Sequence, residues 1–419
     1  MRKHPAGSRR TSYLMAALGL FVTISIIIYP DEAFHASVEG LRVWWEIVFP
    51  ALMPFFIAAE VLMGLGVVHF IGALLEPLMR PVFDVPGVGA FAMAMGLASG
   101  YPIGARIAAR LRRENLCTQV EAERLVAFTN TADPVFMVGA VAVGMFHSPA
   151  LGVTIAGAHY ISSIILGVLM RLHGPNIQER PIFLRPSRRQ SYFKKALDDL
   201  INARRADGRP FGQLFGDSVR DSVNTLLIIG GFIMMFSVMI KVLTAMGAIR
   251  VISLPVSWVL SALGINQAIA PALVSGVFEI TIGTELASRA ACSLTLRVMA
   301  ASAIIAWSGL SVLAQVTSMT NGTDIRILPY VIARIAHAFI AAVVALFLMG
   351  PAGQVIGNAV VPASVAALTT PRIGMLARLI YSGTYLTTTL GCLLIASAVI
   401  QVAKSSRIFG FWITGRPGR

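Results

Sequence analysis

Apolar runs of eighteen or more residues recur along the whole of this chain, and that pattern narrows the possible folds more than any motif does. A bilayer core takes about 20 helical residues to cross, so the sequence has room for about eight spans. Composition agrees at the decisive point: charged residues make up 13% of the 419, about half of what a soluble domain carries, and the mean hydropathy is +0.75. The expected fold class is an all-α polytopic membrane protein with about eight transmembrane helices.

The formal charge of +14 is carried by basic residues between apolar runs and at the termini, where they set topology; nucleic acid is not an expected partner. Cys117, Cys292 and Cys392 form no CxxC pair, which indicates neither a disulfide framework nor a metal knuckle. No HExxH, paired catalytic His or nucleophile–base pair is visible, so enzymatic chemistry, a metal and a cofactor are not expected. Arg2, Lys3, Arg9 and Arg10 precede an apolar run from Tyr13 to Tyr29 with no A-x-A-like site after it; it reads as a retained first helix.

After span one (13–29), Asp31, Glu32, His35, Glu39 and Arg42 form an acidic external connection. Span two runs from Trp44 to Gly66 and is bent by Pro50 and Pro54, with Trp44 and Trp45 at the headgroup level. Residues 67–86 suit a helix lying on the inner surface. The stretch 87–105 is apolar but holds five glycines and Pro102, and Arg106, Arg110, Arg112 and Arg113 follow it directly. A straight crossing would put those arginines outside, so a re-entrant hairpin entering from the cytoplasm is expected. Span three (121–145) carries FTNTADPVF in its interior and span four is 151–172. The connection 173–217 holds nine Lys/Arg against five Asp/Glu, with Tyr192, Phe193, Ala196, Leu197, Leu200 and Ile201 at helical spacing: a basic cytoplasmic linker with an amphipathic helix.

The pattern then repeats: span five (220–243), an interrupted segment, a Gly-containing hairpin (268–288), span six (296–318) and span seven (329–350). Leu65-Gly66 matches Met246-Gly247, Ser99-Gly100 matches Ser275-Gly276, Phe128-Thr129 matches Trp307-Ser308 and Ala158-His159 matches Ala336-His337, at offsets of 181, 176, 179 and 178. Span five starts inside and span two outside, so the halves form two inverted-topology repeats and the second hairpin enters from the opposite face. The expected organisation is an N-terminus with the first helix (1–43), a first repeat (44–172), the linker (173–217), a second repeat (218–350), and a final helix (374–402) with a basic tail within 351–419. Both termini fall in the cytoplasm.

Inverted repeats with discontinuous helices place solute near the midplane, and the N-terminus of a half-helix can hold an anion. Ser99 and Gly100 are expected to begin such a half-helix, with Pro102 in its first turn; Gly96, Gly100 and Gly104 also fit plain helix packing. Thr129, Asn130, Thr131 and Asp133 surround a proline break in span three, as solute ligands or as a helix cap. In the second hairpin Ser275, Gly276, Glu279 and Thr281 are candidates; Glu279 either takes a coupling ion or pairs with Arg289. Ser308 interrupts span six where Asn130 interrupts span three, and Glu60 is a further buried-acid candidate. Arg106 and Arg110, four apart, either gather anions at the cytoplasmic mouth or anchor topology. His159 and His337 read as isolated interior histidines.

The strings FPALMPFFIAAEVLMGLGVVHF, LLEPLMRPVFDVPGVGAFAMAMGLASGYPIGARIAARLRRE and EAERLVAFTNTADPVFMVGAVAVGMFHSPALG resemble the YlbJ (SpoVV) family of sporulation integral membrane proteins, over about residues 10 to 400 and most densely in the first half. The resemblance implies a nucleoside-recognition or Gate domain, a place in the outer forespore membrane and movement of dipicolinate towards the forespore; the word nucleoside is not taken to name a substrate. The expected partners are a small anionic solute and the lipid bilayer, with a homo-oligomer or a sporulation membrane partner left open. The competing reading is an assembly protein whose hairpins only pack.

Overall fold

A computed structural model describes residues 9–174 and 192–350; the expected last span, Cys392 and the basic tail lie outside the described residues. Among these, every regular element is helical. In chain order, α1 (Arg9–Ile28) is followed by α2 (Pro30–Val43), a π-helical turn (Trp44–Val48) and α3 (Phe49–Gly64), which run on without a break. Then come α4 (Val67–Phe83), a hairpin of α5 (Gly89–Ser99) and α6 (Ile103–Arg113), and a broken span made of α7 (Gln119–Thr129) and a π-helical segment (Val135–Met145). α8 (Leu151–Leu169) closes the first half and α9 (Tyr192–Asp207) is the linker helix. The second half comprises α10 (Phe211–Ala245), α11 (Ala248–Ala262), a hairpin of α12 (Ala270–Phe278) and α13 (Ile280–Arg289), a broken span of α14 (Leu294–Trp307) and α15 (Gly309–Thr320), and α16 (Ile327–Met349).

The halves correspond element by element. Gly66 (φ 81°) and Gly247 (φ 74°) stand left-handed before α4 and α11, a conformation that costs least without a Cβ. At the first of these α3 and α4 meet at 79°. Two boundaries differ from the sequence reading. The helix that leads into the first repeat begins at Pro30: α2, the π turn and α3 have 14, 5 and 16 residues, together the 35 of α10. Pro30 at the first position with Asp31 and Glu32 in the first turn makes a favourable helix start, so the polar stretch at 31–42 is helix rather than a connection. Trp44 accordingly lies in the bundle, 7% exposed, its Nε1 donating to Leu226 O at 2.8 Å, while Trp45 stays exposed.

The second difference is the register of the hairpins. Gly100 (φ 81°) is at the first turn, but Gly276 lies inside α12 and the second turn falls at Glu279. The true equivalents are Gly96 with Gly276 and Gly104 with Gly283, where the arms of each hairpin cross. A Cβ on Gly104 would run into the backbone of Thr129 and Asn130, and one on Gly283 into Gly276. Backbone cannot yield as a side-chain tip can.

The ends of the hairpins are fixed by their neighbours. At the foot of the first, Arg112 pairs with Asp324 at 2.7 Å in the turn between α15 and α16. The second packs on the far end of the π segment, with Thr284 Oγ1 3.4 Å from Met145 Sδ, and Arg297 in the next helix over the Phe146 ring at 6.0 Å. Since α7 and the π segment run from one end of the bundle to the other, the hairpins enter from opposite ends.

Among the described residues, four helical stretches are long and apolar enough to cross a bilayer, at 151–172, 211–245, 294–320 and 327–349, with the bent pair α3–α4 a fifth if it is one span. In α16, Leu328, Ile332, Ile335 and Phe339 face outward, while Tyr330, Arg334, His337 and Ala341 are buried. This apolar-out, polar-in arrangement inverts that of a soluble helix and suits a lipid surround. α4 forms a helix as expected, with Leu78, Met79, Val82 and Phe83 in the core and Phe70 meeting Phe193 of α9 edge-on at 5.9 Å.

Candidate functional site

Each hairpin tip rests on the break of its own repeat's discontinuous span. A Cβ on Gly100 would come 2.8 Å from Asp133 N, and one on Gly309 would come 2.9 Å from Phe278 O, next to Glu279. The two breaks meet through α16. Asn130 Nδ2 donates to Tyr330 Oη at 2.8 Å, and Ser308 Oγ lies 3.4 Å from the same oxygen. Tyr101, at the first tip, donates to Ile305 O at 2.8 Å in the other repeat. Asn130 and Ser308, equivalent positions in the two halves, thus share one tyrosine.

Arg334 organises this centre, and the sequence reading missed it. It is 1% exposed, and among the described residues no carboxylate forms an ion pair with it. Its Nη1 donates to Asn130 O at 3.0 Å and Ala306 O at 3.3 Å, and its Nη2 to Ala127 O. These carbonyls are the last of α7 and of α14. A helix C-terminus leaves four carbonyls without intrahelical partners and carries roughly half a negative charge. Two such ends together offset one guanidinium. Its Nε has no partner and neither has Asn130 Oδ1 or Ser99 Oγ, so polar capacity is left over in the bundle's interior. The available signal was that Arg334 is a single full charge within the apolar run 327–349, which by itself marks a functional position.

His159 and His337, read from the sequence as isolated and satisfied, touch each other: their ring centroids are 4.8 Å apart. They are equivalent residues of the two repeats, so their contact marks the pseudo-twofold axis. His159 Nε2 accepts from the Ala132 N–H at 3.0 Å, and His337 Nε2 stands 3.2 Å from His159 O. Both Nδ1 atoms are buried without a partner.

Several sequence candidates have local roles. Ser99 ends α5 and Gly100 caps it, with Pro102 at the N-cap of α6, so these residues do not begin a half-helix as expected. The N-terminus of α13 is filled by the protein's own Glu279 carboxylate, which accepts from Thr281 N at 2.7 Å and Ile282 N at 3.0 Å, with Thr281 Oγ1 at 3.2 Å. Arg289 pairs instead with Glu285. Asp133 likewise caps the π segment through Phe136 N at 2.8 Å. Thr129 Oγ1 bonds back to Leu125 O and Thr131 Oγ1 to Gly96 O, while Ser275 is buried within α12. The protein's own carboxylates thus fill the N-termini of the π segment and α13, whereas α6 and α15 start without a side-chain cap; at the C-termini of α7 and α14 the partner is Arg334.

Arg106 and Arg110 do not join this centre. Both bind Glu60, Arg106 at 2.9 Å, and they line a cavity of about 370 Å³ with Arg113, Glu114, Arg209, Ser218 and Asp221. Glu60 is thus the clamp between α3 and the second arm of the first hairpin. Arg106 Nη1 remains unpartnered.

Two inverted repeats, each with a hairpin seated on a discontinuous span, define a polytopic integral membrane protein with its polar residues gathered between the halves. The Gate family profile, described as nucleoside recognition, matches residues 45–175, most of the first repeat. The chain is 44% identical over 344 residues to the sporulation integral membrane protein YlbJ of Bacillus subtilis (strain 168), covering 82% of this chain and 84% of the relative. It belongs to the YlbJ family. No solved structure matches it significantly.

Proposed function

We propose that this protein carries a small organic anion, of the pyridine dicarboxylate kind, across a membrane of the developing spore by alternating access between its two hairpins. The observation that carries the reading is Arg334, a full positive charge buried between two broken helices, held by their carbonyls and lying over the Tyr330 ring at 5.2 Å. A carboxylate reaching this centre competes with the helix ends for the guanidinium, through a charge-assisted and bidentate contact. Solute binding then loosens the contact that joins α7 to α14 and lets one repeat move against the other. The cavity beside Arg106 and Arg110, on the arginine-rich end where α6 and α15 finish, is the approach from the cytoplasm. The sporulation name of the Bacillus relative supports dipicolinate, a small aromatic dianion, as the solute.

The full-length protein in proteoliposomes should take up radiolabelled pyridine-2,6-dicarboxylate saturably. Absence of uptake and of counterflow under every ion gradient rejects the reading and favours an assembly role. In that case Asn130→Ala, Asp133→Asn and Glu279→Gln would leave sporulation intact at normal protein abundance, whereas a carrier loses flux.

A further inference from the structure

The His159–His337 contact has a chemical asymmetry that its near-symmetric position conceals. A backbone N–H can only donate, so His159 Nε2, which accepts from Ala132 N, is unprotonated, and a neutral His159 carries its proton on Nδ1. A carbonyl can only accept, so His337 Nε2, facing His159 O, carries the proton, and its Nδ1 presents a bare lone pair. The pair therefore holds one unused N–H and one unused lone pair, both buried, at the axis about which the repeats are related. Buried polar groups are as a rule hydrogen-bonded, and each of these residues has one nitrogen without a protein partner.

The charges around the pair make its protonation conditional. Arg334 stands one helical turn before His337 on α16, within electrostatic reach of both rings. Its own charge is already balanced by the ends of α7 and α14. Tyr330 shares α16, Tyr101 comes from the first hairpin with its ring 6.4 Å from His159, and Tyr160 from α8 at 5.8 Å. Asp133 is within electrostatic reach of Tyr101 and Tyr160 but spends its carboxylate on capping the π segment. α14 carries one charged residue, Arg297, which is turned to Phe146 and the Ser288 carbonyl. An imidazolium here adjoins a guanidinium with no spare anion nearby, and like charges in a low dielectric repel strongly.

We propose that His159 and His337 form the coupling-proton site, and that a bound anion at Arg334 is what admits the proton. The proton comes from bulk water onto Nδ1 of His337 as the solute enters, and leaves to bulk water on the other side as the solute departs. Anion and proton bind together because each supplies the charge the other lacks, which is reciprocal linkage between two sites. The inference rests on the carrier reading above and adds its coupling ion.

The test uses the full-length protein in proteoliposomes, with labelled pyridine-2,6-dicarboxylate and the membrane potential clamped at zero. One proton per solute predicts that the equilibrium accumulation ratio changes roughly tenfold for each unit of pH gradient. Uptake that ignores the pH gradient overturns the proton site while leaving the carrier reading standing; no uptake and no counterflow overturns the carrier reading itself. His337→Gln and, independently, His337→Asn, each without the Nδ1 lone pair, should lose pH-driven accumulation by roughly tenfold more than they lose counterflow, by the same linkage. Should His337→Gln fail to reach the membrane, His337→Asn reads the same quantity. Wild-type accumulation in either purified variant refutes the assignment.

Discussion

Arg334 shows how one residue can join two repeats. Replacing it with glutamine leaves the last carbonyls of α7 and α14 short of donors in a water-poor interior, where hydrogen bonds to a charged group are worth about 1.5–3 kcal/mol each. Arg334→Gln should lower the unfolding free energy by about 3 kcal/mol, seen as a large downward shift of the melting temperature in detergent. Lysine should recover little of it, because a single ammonium cannot fork between two helix ends; full recovery in Arg334→Lys would contradict the bridging role. At this scale the sequence marked the breaks well. Asn130, Asp133 and Ser308 are legible because polar residues beside proline or glycine inside an apolar run must face something other than lipid. The partner of those breaks was not, since Arg334 lies 204 residues from the Asn130 carbonyl it holds.

The hairpins are governed by what their glycines allow. At Gly104 an added methyl meets the Thr129 and Asn130 backbone, and at Gly283 it meets Gly276. Gly104→Ala and Gly283→Ala should each cost at least the upper end of the roughly 1–3 kcal/mol typical of overpacking. Gly231→Ala, where nothing lies within 4 Å, should be harmless. Accumulation of the three variants in membranes, followed by thermal melting, separates these cases; a stable Gly104→Ala would show that the hairpin does not pack as described. The glycine spacing announced close packing from the sequence alone. The pairing of Ser99-Gly100 with Ser275-Gly276 does not hold, because the dipeptides align by letter while the chain turns where Glu279 caps α13.

For the whole molecule, the opposed entry of the hairpins predicts opposed accessibility. Exposed Asn115 lies between α6 and α7 at the foot of the first hairpin, and exposed Asn266 lies just before α12 at the foot of the second. Cysteines placed at these two positions, in a chain lacking its natural ones, should react with a membrane-impermeant maleimide from opposite sides; labelling from one side alone would refute the inverted arrangement. The sequence by itself determined the helical membrane class, the two halves and their inversion, because hydropathy, charge bias and an internal offset are all carried by residues read in order. Only the tertiary structure decided that the helix leading into the first repeat starts at Pro30, that Glu279 occupies its own helix end, and that Arg334 and the two histidines share the axis. Those outcomes depend on which helix ends lie side by side and leave charge unbalanced, and that is settled by packing between segments nearly two hundred residues apart.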